Sequence, residues 1–162
     1  YTGFTPEAQA AFQAAVDIWE TVLSGSVTIT IDANWEVLSP GILGSTGTLS
    51  ERNFPGAPTT DYYAASAANQ IAGYDISPGS FDMTMTFSSV FDWYLGTDGN
   101  PAFDEYDLVT VTLHEIGHGL GFSSSKKYNS TDKLATYFVP NTVQVLPKQF
   151  CVATTQWNQT HD

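Results

Sequence analysis

Apolar positions along the chain switch between two periods, and the switches mark the elements. From Thr5 onward Ala8, Phe12, Ala15, Val16, Trp19 and Leu23 recur at intervals of three and four, the stripe of an amphipathic helix. The Thr5 hydroxyl, Pro6 and Glu7 form a start signal and Gly25 a stop signal, so the pattern predicts a helix over 5–24. Val27 to Ile31 alternates β-branched residues and predicts a strand continuing towards Trp35. Residues 38–60 are rich in Gly, Pro, Ser and Thr, with room for one short strand near Ile42 and Leu43. An Ala-rich stretch from Tyr62 to Ile71 reads as a short helix. Phe81, Met83, Met85 and Phe87 alternate with Asp82, Thr84 and Thr86, as in a strand with one wet face. Gly96, Asp98, Gly99, Asn100 and Pro101 make 92–104 a loop. A helix is then expected from Glu105 to Leu120. Leu108, Val109, Val111, Leu113, Ile116 and Leu120 cover much of its circumference, so it should be buried. Strands and helices in this mixture predict an α+β fold.

Composition narrows what such a fold can do. The chain has 162 residues, enough for one core, and its 42% hydrophobic and 14% aromatic content excludes a disordered acidic protein. A net charge of −12 argues against nucleic acid or an anionic membrane as partner. No apolar run reaches the length of a spanning helix. The charge is unevenly spread: Arg52 is the only base before residue 126, whereas the segment from 126 carries Lys126, Lys127, Lys133 and Lys148 and no glycine. Two regions are therefore expected, a body over 1–125 and an atypical C-terminal tail over 126–162. The chain opens at Tyr1 without Met or a leader, as expected of a mature protein or a fragment. The single Cys151 leaves no internal disulfide, and the Lys-poor, Asn/Thr/Ser/Gly-rich composition points to a secreted protein.

The candidate chemistry lies on the buried helix. His114 and His118 are four residues apart, on one face and one turn apart, so both imidazoles can meet one zinc ion. Glu115 projects beside them, able to take a proton from water and return it to a leaving amine. This is the HExxH arrangement of zinc proteases. The alternative is a pair of hydrogen-bonded structural histidines beside a capping Glu. Gly117 and Gly119 each cost about 1 kcal/mol of helix propensity relative to Ala. They therefore suggest close approach by other backbone, a metal or a substrate, and Gly121 suggests a terminator.

The run from His114 to Ser124, with His114, Glu115, His118 and Gly121 in register, resembles the metzincin zinc endopeptidases. His118, Gly119, Leu120, Gly121, Phe122, Ser123 and Ser124 look most like the leishmanolysin-like branch and related secreted bacterial metalloproteases, a similarity that extends over 4–125. The resemblance implies a zincin-like, twisted mixed sheet with a backing helix and a zinc helix beneath an edge strand. It also implies that Phe81–Phe87 is this edge strand, binding extended substrate by strand addition. Ser124 stands where most metzincins have their third zinc ligand, and Ser is a poor one. The leishmanolysin-like branch places its third His well downstream, which points to His161 as the third metal ligand, with Asp132 as another choice. The methionine that follows the third ligand in metzincins is missing, since Met83 and Met85 lie upstream as packing residues. By the resemblance, the chain stops before the domain is complete.

Asp92, Asp98, Asn100 and Asp104 form an oxygen-rich loop open to Ca2+, although their spacing equally serves turns and caps. Together these residues predict a secreted zinc-dependent endopeptidase acting on polypeptide substrates, with one catalytic Zn2+ and Glu115 as general base. The competing expectation is a non-catalytic zinc-binding or extracellular interaction module on a protease-like fold.

Overall fold

The computed structural model of the chain describes residues 1–57, 61–122, 125–129 and 134–138, the last two segments as backbone alone. Helix α1 spans Pro6–Val22, and the Thr5 hydroxyl accepts from the Ala8 N–H at 3.2 Å. It buries Ala8, Ala11, Phe12 and Ala15, the stripe expected from its spacing. It ends at Val22, with Leu23 as an extended cap, rather than at Gly25. Gly25 has a different reason to be small: a Cβ there would lie 2.3 Å from the Gln70 side-chain oxygen.

Strand β1 is Ile31–Glu36, and β2 is Gly44–Thr48. Two short strands, β3 (Ser50–Glu51) and β4 (Tyr63–Ala64), pair antiparallel before helix α2, Ala65–Ala72. Strand β5 is Met83–Ser88. Two further short strands, β6 (Trp93–Tyr94) and β7 (Tyr106–Asp107), pair in parallel and deliver the chain into helix α3, Leu108–Gly119. A backbone hairpin follows, β8 (Ser125–Asn129) against β9 (Leu134–Phe138). The result is α+β with a mixed central sheet ordered β1-β5-β2, in which β1 runs parallel and β2 antiparallel to β5.

Two sequence expectations shift for identifiable reasons. Residues 27–30 are not strand, because side chains take the backbone groups that a ladder would use. Gln70 accepts from Ser26 N–H and Val27 N–H and donates to the Val27 carbonyl, while Asp82 accepts from Thr30 N–H at 2.7 Å. The strand therefore starts at Ile31. The other shift concerns the sheet edge. Phe81–Phe87 was expected there, yet β5 is the central strand, flanked on both sides. Its inward residues Met83, Met85 and Phe87 are at most 1% exposed, so a central position suits their hydrophobicity. The outer strands are β1, bridged in parallel by Thr2 at Asn34, and β2, whose Gly, Ser and Thr residues carry no hydrophobic alternation to read.

The core fills the face between this sheet and α1 and α3. Phe4, Phe12 and Phe87 meet edge to face at centroid separations of 5.9–6.0 Å, and Trp35 joins Phe4 at 5.1 Å. Each such pair contributes about 0.5–1.5 kcal/mol beyond its burial. Beside this core Asp82 is buried but satisfied: it accepts from Thr30 and from Asn69 Nδ2 at 2.7 Å, tying α2 to the start of β5.

Candidate functional site

Helix α3 begins where the Asp107 carboxylate accepts from the Val109 N–H at 3.2 Å. Leu108, Thr112, Glu115, Ile116 and Gly119 are buried, which places Glu115 on the face turned towards the sheet. His114, one position earlier, is exposed, and His118 is half-buried. The helix is held from both sides. Trp19 of α1 donates its indole N–H to the Leu113 carbonyl at 3.1 Å, and Ser66 of α2 donates to the Gly119 carbonyl at 2.8 Å.

The helix end shapes the site. Gly121 has φ +99°, a left-handed conformation that side chains rarely adopt. The Gly121 N–H then donates to the His118 carbonyl at 3.0 Å, and the Phe122 N–H to the Gly117 carbonyl at 3.0 Å, the two bonds of a Schellman cap. This turn brings the Phe122 carbonyl within 2.8 Å of His118 Nδ1. A carbonyl only accepts, so Nδ1 carries the proton and the lone pair of neutral His118 is on Nε2. That is the arrangement by which a metal-ligating histidine is oriented from behind.

His118 Nε2 lies 2.9 Å from His114 Nε2, with the rings nearly perpendicular at 88°. Two imidazole nitrogens on one tetrahedral zinc stand about 3.3 Å apart, given Zn–N bonds of about 2.0–2.1 Å. The pair is within a few tenths of an ångström of that span, so the donor set fits a zinc ion. The same 2.9 Å separation also suits an Nε2–H···Nε2 hydrogen bond from His114 to His118, so the geometry is shared by a zinc-ready pair and by a hydrogen-bonded structural pair.

Glu115 is 6% exposed. Its Oε2 accepts from the Thr46 hydroxyl of β2 at 2.7 Å. On the same strand, a Cβ at Gly44 would lie 3.1 Å from Glu115 Cγ and 3.2 Å from Oε1. Strand β2 thus packs directly over the carboxylate. Neither Gly44 nor Thr46 was singled out in the sequence, because their role depends on a contact across 69 residues. The helix glycines divide differently. A Cβ at Gly119 would sit 2.2 Å from Met83 Sδ, so close packing on β5 requires glycine there. Gly117 has only Trp19 nearby, at 3.8 Å, and packing does not account for it.

Three candidate third ligands, Ser124, Asp132 and His161, lie outside the described residues, as does Cys151. In the oxygen-rich loop, Asp98 accepts from the Tyr94 hydroxyl and from the Asn100 N–H at 3.2 Å, and the Asp92 carbonyl accepts from the Tyr106 N–H at 2.9 Å. The Asp98 bonds are local turn bonds, and the Asp92 bond belongs to the parallel pairing of β6 with β7. The Tyr94 hydroxyl, with help from the Asn100 N–H, holds the Asp98 carboxyl below its ordinary value, and the same contact raises the Tyr94 phenol. Among the described residues no helix is long and apolar enough to cross a membrane.

The SPBPB7E8-like family model matches residues 58–160, more than half of the chain, including α3 with its HExxH segment. Neither a curated protein nor a solved structure matches it. The metzincin resemblance, with its leishmanolysin-like branch, is corrected by these findings. No metalloprotease family matches, and among the described residues no group of three His, Cys, Asp or Glu side chains could hold a metal. The physical reason is that HExxH constrains one turn of helix. It dictates local chemistry there and leaves the ancestry of the surrounding scaffold open.

Proposed function

The chain belongs to the SPBPB7E8-like family, and we propose that it is a secreted zinc-dependent endopeptidase. The observation that carries this reading is the aimed pair of Nε2 atoms on His114 and His118, with the His118 tautomer locked by the Phe122 carbonyl. When bound, a zinc ion supplies Lewis-acid chemistry, acidifying water and polarising a carbonyl. His114 and His118 would hold it, with His161 as the third ligand. Glu115, buried beside them on the next helix position, takes the proton from water and passes it to the leaving amine.

The strand above the site supports a peptide as substrate. The Leu43 carbonyl accepts from the Ser88 N–H at 2.9 Å and the Leu49 N–H donates to the Asp82 carbonyl at 3.4 Å, so odd-numbered residues of this segment bond to β5. By antiparallel alternation, the N–H and C=O groups of Gly44, Thr46 and Thr48 point the other way, to the open edge among the described residues. An extended polypeptide can pair there, one strand spacing outside the strand that covers Glu115. A shallow groove of about 430 Å³ lies over the end of β2 and the start of β5, flanked by the exposed side chains of Leu49 and Phe81.

The test is zinc content and cleavage of a denatured polypeptide by the wild-type chain, Glu115→Ala and His161→Ala. Wild-type cleavage that a chelator abolishes and zinc restores is expected, with Glu115→Ala zinc-loaded but inactive and His161→Ala bound more weakly to zinc. Full zinc-dependent cleavage by Glu115→Ala would sink the mechanism. Zinc binding with no turnover in the wild type would instead favour the non-catalytic module.

A further inference from the structure

Thr46 occupies two positions at once. Its side chain faces α3 and donates to Glu115 Oε2 at 2.7 Å. Its backbone N–H and C=O point to the open edge of the sheet, by the same alternation that sends Ser45 and Gly47 to β5. A single residue therefore touches the carboxylate with one group and presents pairing groups to an incoming strand with the others. Here one oxygen accepts the hydroxyl and the other lies against Gly44, whose missing Cβ leaves the space that the carboxylate occupies.

We propose that Thr46 is a positioning residue for Glu115, holding one carboxylate oxygen so that the other is presented to the reacting water. This rests on the endopeptidase reading for its catalytic consequence, but the positioning itself does not require turnover. Because Thr46 sits on the docking edge, it also sets the distance between a strand-added substrate and the base. No bond is made or broken by Thr46 itself. Its hydroxyl stays a donor throughout.

The experiment compares Thr46→Val, which removes the hydroxyl and keeps the β-branched shape, with Thr46→Ser, which keeps the hydroxyl. In the zinc-loaded full chain acting on a labelled denatured polypeptide, Thr46→Val should lower kcat roughly tenfold. KM and zinc affinity should stay within about twofold of wild type, and Thr46→Ser should restore kcat. A readout independent of turnover is the Glu115 carboxyl carbon resonance in the metal-free chain. It should move in Thr46→Val and stay at the wild-type position in Thr46→Ser. An unmoved resonance in Thr46→Val overturns the proposal, as does an equal loss of kcat in both variants. If the wild type shows no turnover while the resonance responds as expected, the endopeptidase reading fails and the positioning contact stands.

Discussion

The sheet presents one inner face to two very different neighbourhoods. Under β1 and β5 it is filled by Phe4, Phe12, Phe87, Met83 and Met85, all at most 9% exposed. Under β2 it carries no large side chain, and Gly44 and Thr46 lie against a single carboxylate. The first half is built for burial, at about 25 cal/mol for each Å² of apolar surface removed from water. The second half gives up that burial. Leaving a polar group at a sheet edge is worthwhile for access to it, and the same backbone groups that β2 leaves open invite an added strand. Apolar burial and the contact with the Glu115 carboxylate are thus divided across one sheet, strand by strand.

This division can be broken or sharpened by substitution. The largest effect should come from Glu115→Gln, which keeps an acceptor for Thr46 and removes the base. Zinc-dependent cleavage should fall about 10²–10⁴-fold, while the unfolding free energy changes by less than about 1 kcal/mol. A comparable loss of stability would mean that the β2 half is structural after all. Phe87→Ala tests the opposite half. Chemical denaturation should show a loss of about 3–5 kcal/mol, with zinc affinity of the folded chain unchanged. Next comes Gly119→Ala, which drives a methyl group into Met83 at the junction of α3 and β5. A loss of about 1–3 kcal/mol is expected, and Met83→Ala in the same chain should recover part of it by making room.

The smallest effect lies far from both halves. Asp98 has a folded-state carboxyl lowered chiefly by the Tyr94 hydroxyl, so its contribution to stability is present above the ordinary value of 3.8 and lost as pH falls through the lowered one. Tyr94→Phe should move the Asp98 titration midpoint upward in an NMR titration, with no change in zinc binding. A midpoint that stays put would assign the lowering to the Asn100 N–H instead.

Legibility followed the same division. Helix α1 was readable to within two residues at either end, because a hydroxyl cap, Pro6 and a three–four stripe all agree. Strand β5 was readable because Met83, Met85 and Phe87 alternate with polar residues. Its place in the sheet was not, since alternation reports two faces and is silent on neighbours. A short strand is expected near Ile42 and Leu43, but β2 lies just beyond, at Gly44–Thr48, and its place over Glu115 emerged only from pairing with β5. Gly119 was recognised as unusual, but the cause, Met83 on a distant strand, is a tertiary contact. The metzincin resemblance is overturned for a related reason: the run from His114 to Ser124 does not determine the scaffold over 4–125.

By itself, the sequence determined that His114 and His118 share one face of α3 a turn apart, because an interval of four residues on a helix fixes angle and rise regardless of surroundings. It also determined the Gly121 turn, which local backbone sterics require. Only the tertiary structure decided which strand lies at the edge, that the Phe122 carbonyl would lock the His118 tautomer, and that Thr46 would reach the Glu115 carboxylate. The edge and the Thr46 contact depend on how separate elements pack. The tautomer lock depends on where the capped turn leaves one carbonyl. Neither placement is carried by the period of a pattern.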